Sequence, residues 1–143
     1  MPGFANPADT AIYAKLAADT TLTALLAGGT ALPSVYHAVI PQDAALPAVV
    51  FNSQAPSTPA RTFTAVAFEN ALYTVKAVTE GRNQLAAGTI AARIDTLLDG
   101  PALTYTGFTH MGCQRVQEID YTESAAGGIR YNHRGATYRL RAY

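Results

Sequence analysis

Apolar positions recur at helical spacing over the first thirty residues and then change period. Asn6-Pro7-Ala8-Asp9 predicts a helix start, with Asn6 as N-cap, Pro7 at the first helical position and Asp9 as an acid in the first turn. Ile12 and Leu16 follow four apart on one face, with Ala8, Ala11 and Ala18 packing closely around them. Asp19 is placed to cap a second, short helix carrying Leu22, Leu25 and Leu26, and Gly28-Gly29 ends it. From Ala31 the pattern becomes β-type. Val35 to Val39 is one run, and Ala48 to Asn52 is another after the Leu46-Pro47 break.

Gln54 to Ala60 (QAPSTPA) is rich in proline and polar residues, and it predicts a loop leaving the body of the domain. Arg61 to Thr79 is mostly extended, with Phe63, Phe68, Tyr73, Val75 and Val78 among β-favouring threonines. Arg82 to Leu98 is the clearest helix: Ala87, Ile90, Ala91, Ile94, Leu97 and Leu98 form a stripe that must face a sheet. Gly100-Pro101 ends it. Two further extended runs, about Phe108 to Glu123 and Ile129 to Tyr143, are joined around Ala125-Ala126-Gly127-Gly128 and predict a hairpin. In the last run Ile129, Tyr131 and His133 are out of phase with Tyr138, Leu140 and Ala142. A bulge at Arg134-Gly135 would switch the phase. The alternative is that the first set points away from the core into an interface. The expected fold class is α+β, an antiparallel β-sheet with helices packed on one face, in the order αα-βββ-α-ββ. At 143 residues the chain is expected to be one domain, 1–143.

Composition sharpens this picture. Charged residues are 14% of the chain, against roughly 25% in an average soluble domain. Lysine plus arginine is 10 and aspartate plus glutamate is 10, so the formal net charge is zero. Such a balance argues against a general nucleic-acid or anionic-membrane binder, and low charge favours self-association. No secretory signal is expected from MPGFANPAD, no run of apolar residues is long enough for a membrane span, and a cytoplasmic site of synthesis follows.

Little in the chain points to catalysis. His37, His110 and His133 form no spaced metal pair, and Cys113 is the single cysteine. His110 with Cys113 is a weak nucleophile dyad, and a buried thiol near a surface imidazole is the simpler reading. Glu118, Asp120 and Glu123 alternate with polar groups near Arg115, as on a solvated or subunit-facing strand. No catalytic residue, metal ligand or cofactor is therefore assigned, and an enzyme is not expected.

The arginines say more. Only Lys15 and Lys76 of the 10 basic residues are lysines. Arg115, Arg130, Arg134, Arg139 and Arg141 fall in the last two strands, and Arg139 and Arg141 leave one face of the sheet. A solvated face, an interface and a phosphate-facing stripe all accommodate them. The similar number of acids nearby favours protein–protein pairing.

The succession DTTLTALLAGG, VYHAVIPQDAALPAVVF, LYTVKAVTEGRNQLAAGTIAARIDTLL and a terminal hairpin ending GATYRLRAY resembles the tail terminator, or tail-completion, proteins of long-tailed (siphovirus-type) bacteriophages, over about residues 8–143. Order and spacing carry the resemblance, without a catalytic signature. It implies a structural virion protein of the neck, at the head–tail junction and assembled in the host cytoplasm. Such proteins form a ring, typically hexameric, that caps the tail tube, stops its polymerisation and presents a surface for head attachment. The implied partners are further copies of the chain, the tail tube protein and a head connector, with phage DNA passing through the lumen without sequence-specific binding and no membrane involved.

On that reading Arg139 and Arg141, facing Glu118 or Asp120 of a neighbour, are expected to close the ring. Arg115, Arg130 and Arg134 join them as subunit or tube contacts, with Ser57, Thr58 and Arg61 of the projecting segment. The Gln54–Arg61 segment and the Gly127-Gly128 tip are expected to make axial contacts. The nearest alternative is a head-completion or connector adaptor that binds the portal side. A remoter one is a small ligand-binding or enzymatic α+β domain, with a deep pocket holding His110 and Cys113.

Overall fold

The computed structural model describes residues 3–82 and 84–143. Helix α1 (Ala5–Ala17) and the single-turn α2 (Thr20–Thr23) precede strands β1 (Val35–His37), β2 (Ala48–Arg61) and β3 (Val66–Glu80). Helix α3 (Leu85–Leu98) then leads into β4 (His110–Ser124), a 3-10 turn at Ala126–Gly128, and β5 (Arg130–Ala142). The α+β class and the order αα-βββ-α-ββ hold. The five strands form one sheet in the order β1-β2-β3-β5-β4. It is antiparallel except at the short β1, which runs parallel to β2 through Val35↔Val49 and His37↔Phe51.

All three helices pack on the same face. Ala8, Ile12 and Leu16 of α1, Leu22 of α2, and Ala87, Ile90, Ile94 and Leu98 of α3 join one core with Val49, Phe51, Tyr73, Val75, Tyr138, Leu140 and Cys113. These strand residues alternate along each strand, as a pleated sheet with one covered face requires. Each fully buried Ile or Leu contributes about 2 kcal/mol of apolar transfer. Asp19 caps α2 as expected, accepting from the Leu22 amide at 2.8 Å. The same carboxylate takes two hydrogen bonds from Arg93 of α3, at 2.9 and 2.7 Å, and so ties α2 to α3. The Arg93 guanidinium holds the Asp19 carboxyl below its ordinary value, against the opposing effect of burial.

Several expectations are corrected. Helix α1 begins earlier than Asn6: Phe4 occupies the N-cap position without a side-chain cap, because its ring is drawn into the core against Tyr105 and Phe108. Ala18 lies exposed beyond the end of α1. Gln54 to Ala60 is not a loop but the outer half of β2, paired with β3 as far as Arg61↔Val66. Proline is admitted there because, beyond the Phe51 pairing, no described strand lies along that edge of β2 and no amide donor is needed. The segment irregularities sit between Ser53, Ala55 and Thr58, where the chain is bulged. The turn of this hairpin is 62–65, closed by the Thr62 amide donating to the Ala65 carbonyl.

No bulge occurs at Arg134-Gly135. Strand β5 pairs with β3 in unbroken register from Glu69↔Ala142 to Glu80↔Tyr131. The irregularities lie instead in β4, between His110 and Gly112 and between Arg115 and Gln117. Gly135 serves a different purpose: an added Cβ would meet the Val75 carbonyl oxygen at 2.1 Å and the Lys76 Cα at 2.5 Å. The two backbones cross too closely for any side chain. Tyr131 and His133 therefore stay out of phase with Tyr138 and Leu140, on the sheet face that the helices leave uncovered.

Candidate functional site

Three surfaces concentrate polar and apolar groups that the core does not use. The first lies on the helix side, where β4 extends beyond the cover of α3. Arg134 Nη2 donates to Asp120 Oδ2 at 3.0 Å, and Arg115 Nη1 sits 3.4 Å from Glu118 Oε1 and 3.5 Å from Asp95 Oδ2. The Arg115 amide donates to Asp99 Oδ1 at 2.9 Å, and the Tyr138 hydroxyl donates to Asp95 Oδ1 at 3.1 Å. These groups line a cleft of about 340 Å³. Gly88 of α3 makes room for Arg134, since a Cβ there would lie 2.8 Å from Arg134 Nη1. Arg134 lowers the Asp120 carboxyl below its ordinary value.

The second surface is the uncovered sheet face. At one end Lys76 Nζ donates to the Tyr121 hydroxyl at 2.6 Å, the Tyr121 and His133 rings stack at 4.3 Å, and His133 Nε2 lies 3.0 Å from Glu123 Oε2. His133 Nδ1 is buried without a partner. Burial and the Lys76 charge push the His133 imidazole below its ordinary value, and Glu123 only partly restores it. Segment 38–46 folds over this end and encloses a cavity of about 760 Å³ above Val50, Val78 and Lys76. At the other end stand Arg139 and Arg141, whose Nε atoms are buried without an acceptor, beside the buried and unpartnered Asn70 Oδ1. Arg141 lies over the Phe68 ring at 6.0 Å.

The third surface is the sheet's two free edges. Strand β4 is 15 residues long, and nearly all of it from Gln114 onward is exposed, Val116 and Tyr121 included. The outer half of β2 is a free edge too, but Pro56 and Pro59 carry no amide hydrogen and guard it against added strands. Past the Pro59↔Glu69 pair the β2–β3 hairpin also outruns β5, whose last partner is Glu69. This overhang, 60–68, carries Arg61 and the fully exposed Phe63.

The residues expected from sequence thus separate. Arg115, Glu118, Asp120 and Arg134 come together within the chain. Arg139 and Arg141 face the opposite side of the sheet from those acids. Ser57, Thr58 and Arg61 lie on the hairpin, where Ser57 Oγ donates to Glu69 Oε2 at 2.5 Å, and Arg130 lies exposed beside the Gly127-Gly128 turn. Lys76, Tyr121 and Phe63 were not among the site residues expected from the sequence. The hairpin turn held the signal for one of them, because once it is fixed Tyr121 must lie opposite His133.

Cys113 is buried in the core, and burial pushes its thiol up to about 12, which leaves it unreactive. Neither cleft is lined by His110 or Cys113. Among the described residues no three His, Cys, Asp or Glu side chains are grouped as a metal ion needs, and no helix is long and apolar enough to cross a membrane.

Comparison with known proteins places the chain. Residues 10–141 match the sequence profile of the family described as tail completion protein gp17. Among solved structures, a chain of the "Virion of native gene transfer agent (GTA) particle" is 23% identical with a TM-score of 0.71, and the match covers 96% of each chain. A second solved chain is 13% identical with a TM-score of 0.53, covering 95% of this chain and 94% of the other. At these identities the two structures establish a shared fold. No curated protein matches by sequence.

Proposed function

Because the chain belongs to the tail completion protein gp17 family, a family of structural proteins of the phage virion, we propose that it acts at the head–tail junction as a ring of identical copies, six by expectation. The ring caps the tail tube, stops its polymerisation and offers a surface to the head connector. The family match across 10–141 carries this reading. The uncovered sheet face, the long exposed β4 and the buried Nε atoms of Arg139 and Arg141 support self-association, since buried guanidinium nitrogens without acceptors are costly unless a partner supplies them.

Ring closure engages Arg139 and Arg141 on the uncovered face. Arg115, Glu118, Asp120, Arg130 and Arg134 border β4 and meet a neighbour or the tube there. Glu118 and Asp120 already have arginine partners in their own chain, which favours other acceptors for Arg139 and Arg141. Termination is geometric: the two edges of the sheet differ, one open along β4 and one short or proline-guarded, so a ring built from it has unlike faces. DNA crosses the lumen without sequence readout. A connector adaptor on the portal side shares these features and differs only in its partner.

The test is charge reversal of Arg139 and Arg141 together. Assembly into rings, followed by solution mass over a concentration series, is expected to be lost while far-UV circular dichroism and the melting temperature stay at wild-type values. Unchanged assembly removes these two residues from the interface. Binding to portal complexes in place of tube ends would favour the adaptor.

A further inference from the structure

The overhanging hairpin and the covered cavity lie at opposite ends of the same strands. Phe63, at the hairpin turn, has no burial at all, which is unusual for the largest apolar side chain of an ordered turn. Arg61 beside it has no ion pair among the described residues. The cavity under 38–46 has Val50, Val78 and Lys76 at its floor, Tyr131 and His133 along it, and an apolar lip at Val39, which is 72% exposed. Its rim carries Asp43 and Glu80, again without an ion pair among the described residues. One end thus presents an aromatic group next to a cation, and the other a hollow of mixed lining in which Asp43, Glu80 and Glu123 outnumber the single cation Lys76. Within one chain they cannot meet, because Val66 and Val78 are separated by about 40 Å of extended strand.

We propose that Phe63 of one copy inserts into the cavity beneath residues 38–46 of the next copy, with Arg61 meeting the acidic rim. The inference rests on the ring reading and names the contact that links one copy to the next. A knob and a hollow on different parts of the molecule make a heterologous contact, which closes into a ring when the rotation between copies allows it. The occupant is a second copy because the cation of the tip matches the surplus acids of the hollow, and the chain's own hairpin lies at the far end of the strands.

Thr64, next to Phe63, and Val39 are both exposed and the native Cys113 is buried, so cysteines introduced singly at these two positions report on the contact while the Phe63 ring is kept. Mixing Thr64→Cys protein with Val39→Cys protein under mild oxidation is expected to give a disulfide between the two substituted positions, identified by mass spectrometry of the linked peptides. Phe63→Ala is expected to weaken assembly about 30-fold, as loss of a central aromatic anchor does. Rings that form without the mixed disulfide, or Phe63→Ala protein that assembles like wild type, overturn the contact and leave the ring reading standing. Phe63→Ala rings that form normally but no longer cap tubes also overturn it, and assign the hairpin to the tube. Protein that never assembles, even with tube ends present, defeats the ring reading and this contact with it.

Discussion

At Gly135 the absence of a side chain decides the geometry of two strands. Gly135→Ala would force a methyl group against the Val75 carbonyl and the Lys76 backbone, neither of which can swing aside. Overpacking of this kind is expected to cost about 3 kcal/mol, read as a shift in the urea midpoint. Gly112→Ala on β4, where an added Cβ meets nothing within 4 Å, is the control and is expected to stay within about 0.5 kcal/mol of wild type. Asp19 supports a second expectation. Its carboxyl is held down by Arg93, so the ionised form is favoured in the folded chain. That contribution is complete above the unfolded carboxylate value of about 3.9, and it is lost as pH falls through the lower folded value. Asp19→Asn keeps a cap but loses the charge. It is expected to be about 1–2 kcal/mol less stable than wild type at pH 7, with the gap closing below about pH 4. A constant gap down to pH 2 in denaturant titrations would show that the ion pair is not its source.

Elements with an internal period were readable from the chain, and those shaped by partners were not. The Ile90, Ile94, Leu98 stripe forecast α3 and its buried face, because that periodicity is what packing on a sheet selects. Asp19 and the Gly127-Gly128 turn were equally explicit, since capping and left-handed backbone admit few residue types. The β2–β3 hairpin was hidden. Its prolines and serines resemble a loop, and only the absence of a neighbouring strand explains why they are tolerated. The phase of β5 was ambiguous because Tyr131 and His133 look apolar enough to be buried, and they are indeed largely shielded, but by side chains on the uncovered face.

Two expectations follow for the elements. Ile94→Ala removes a fully buried side chain from α3 and is expected to cost about 3 kcal/mol by urea unfolding. Replacing the overhang 60–68 with a two-residue turn is expected to leave the melting temperature within a few degrees, because this tip contributes nothing to the core, while assembly is lost. A large fall in melting temperature would mean that the tip supports the fold.

The whole molecule is a sheet finished on one face only, with unlike edges and unlike ends. Helices cover one side, the other holds arginine nitrogens without acceptors and a half-roofed cavity, and one edge is the long exposed β4. For a low-charge chain with zero formal net charge, these features suit a subunit that completes itself by assembly. The site itself was only half visible beforehand. The arginine-rich final strands marked the region, but which arginines pair within the chain depended on the register of β4 against β5 and on the β4 bulge at Val116. The central claim concerns what the assembled protein does to a growing tube. Tail tube protein polymerised with and without this chain, and imaged by negative-stain electron microscopy over time, tests it directly. The account predicts rings at one end of each tube and arrested growth from that end. Tubes that lengthen unchanged, with no ring at either end, would contradict it.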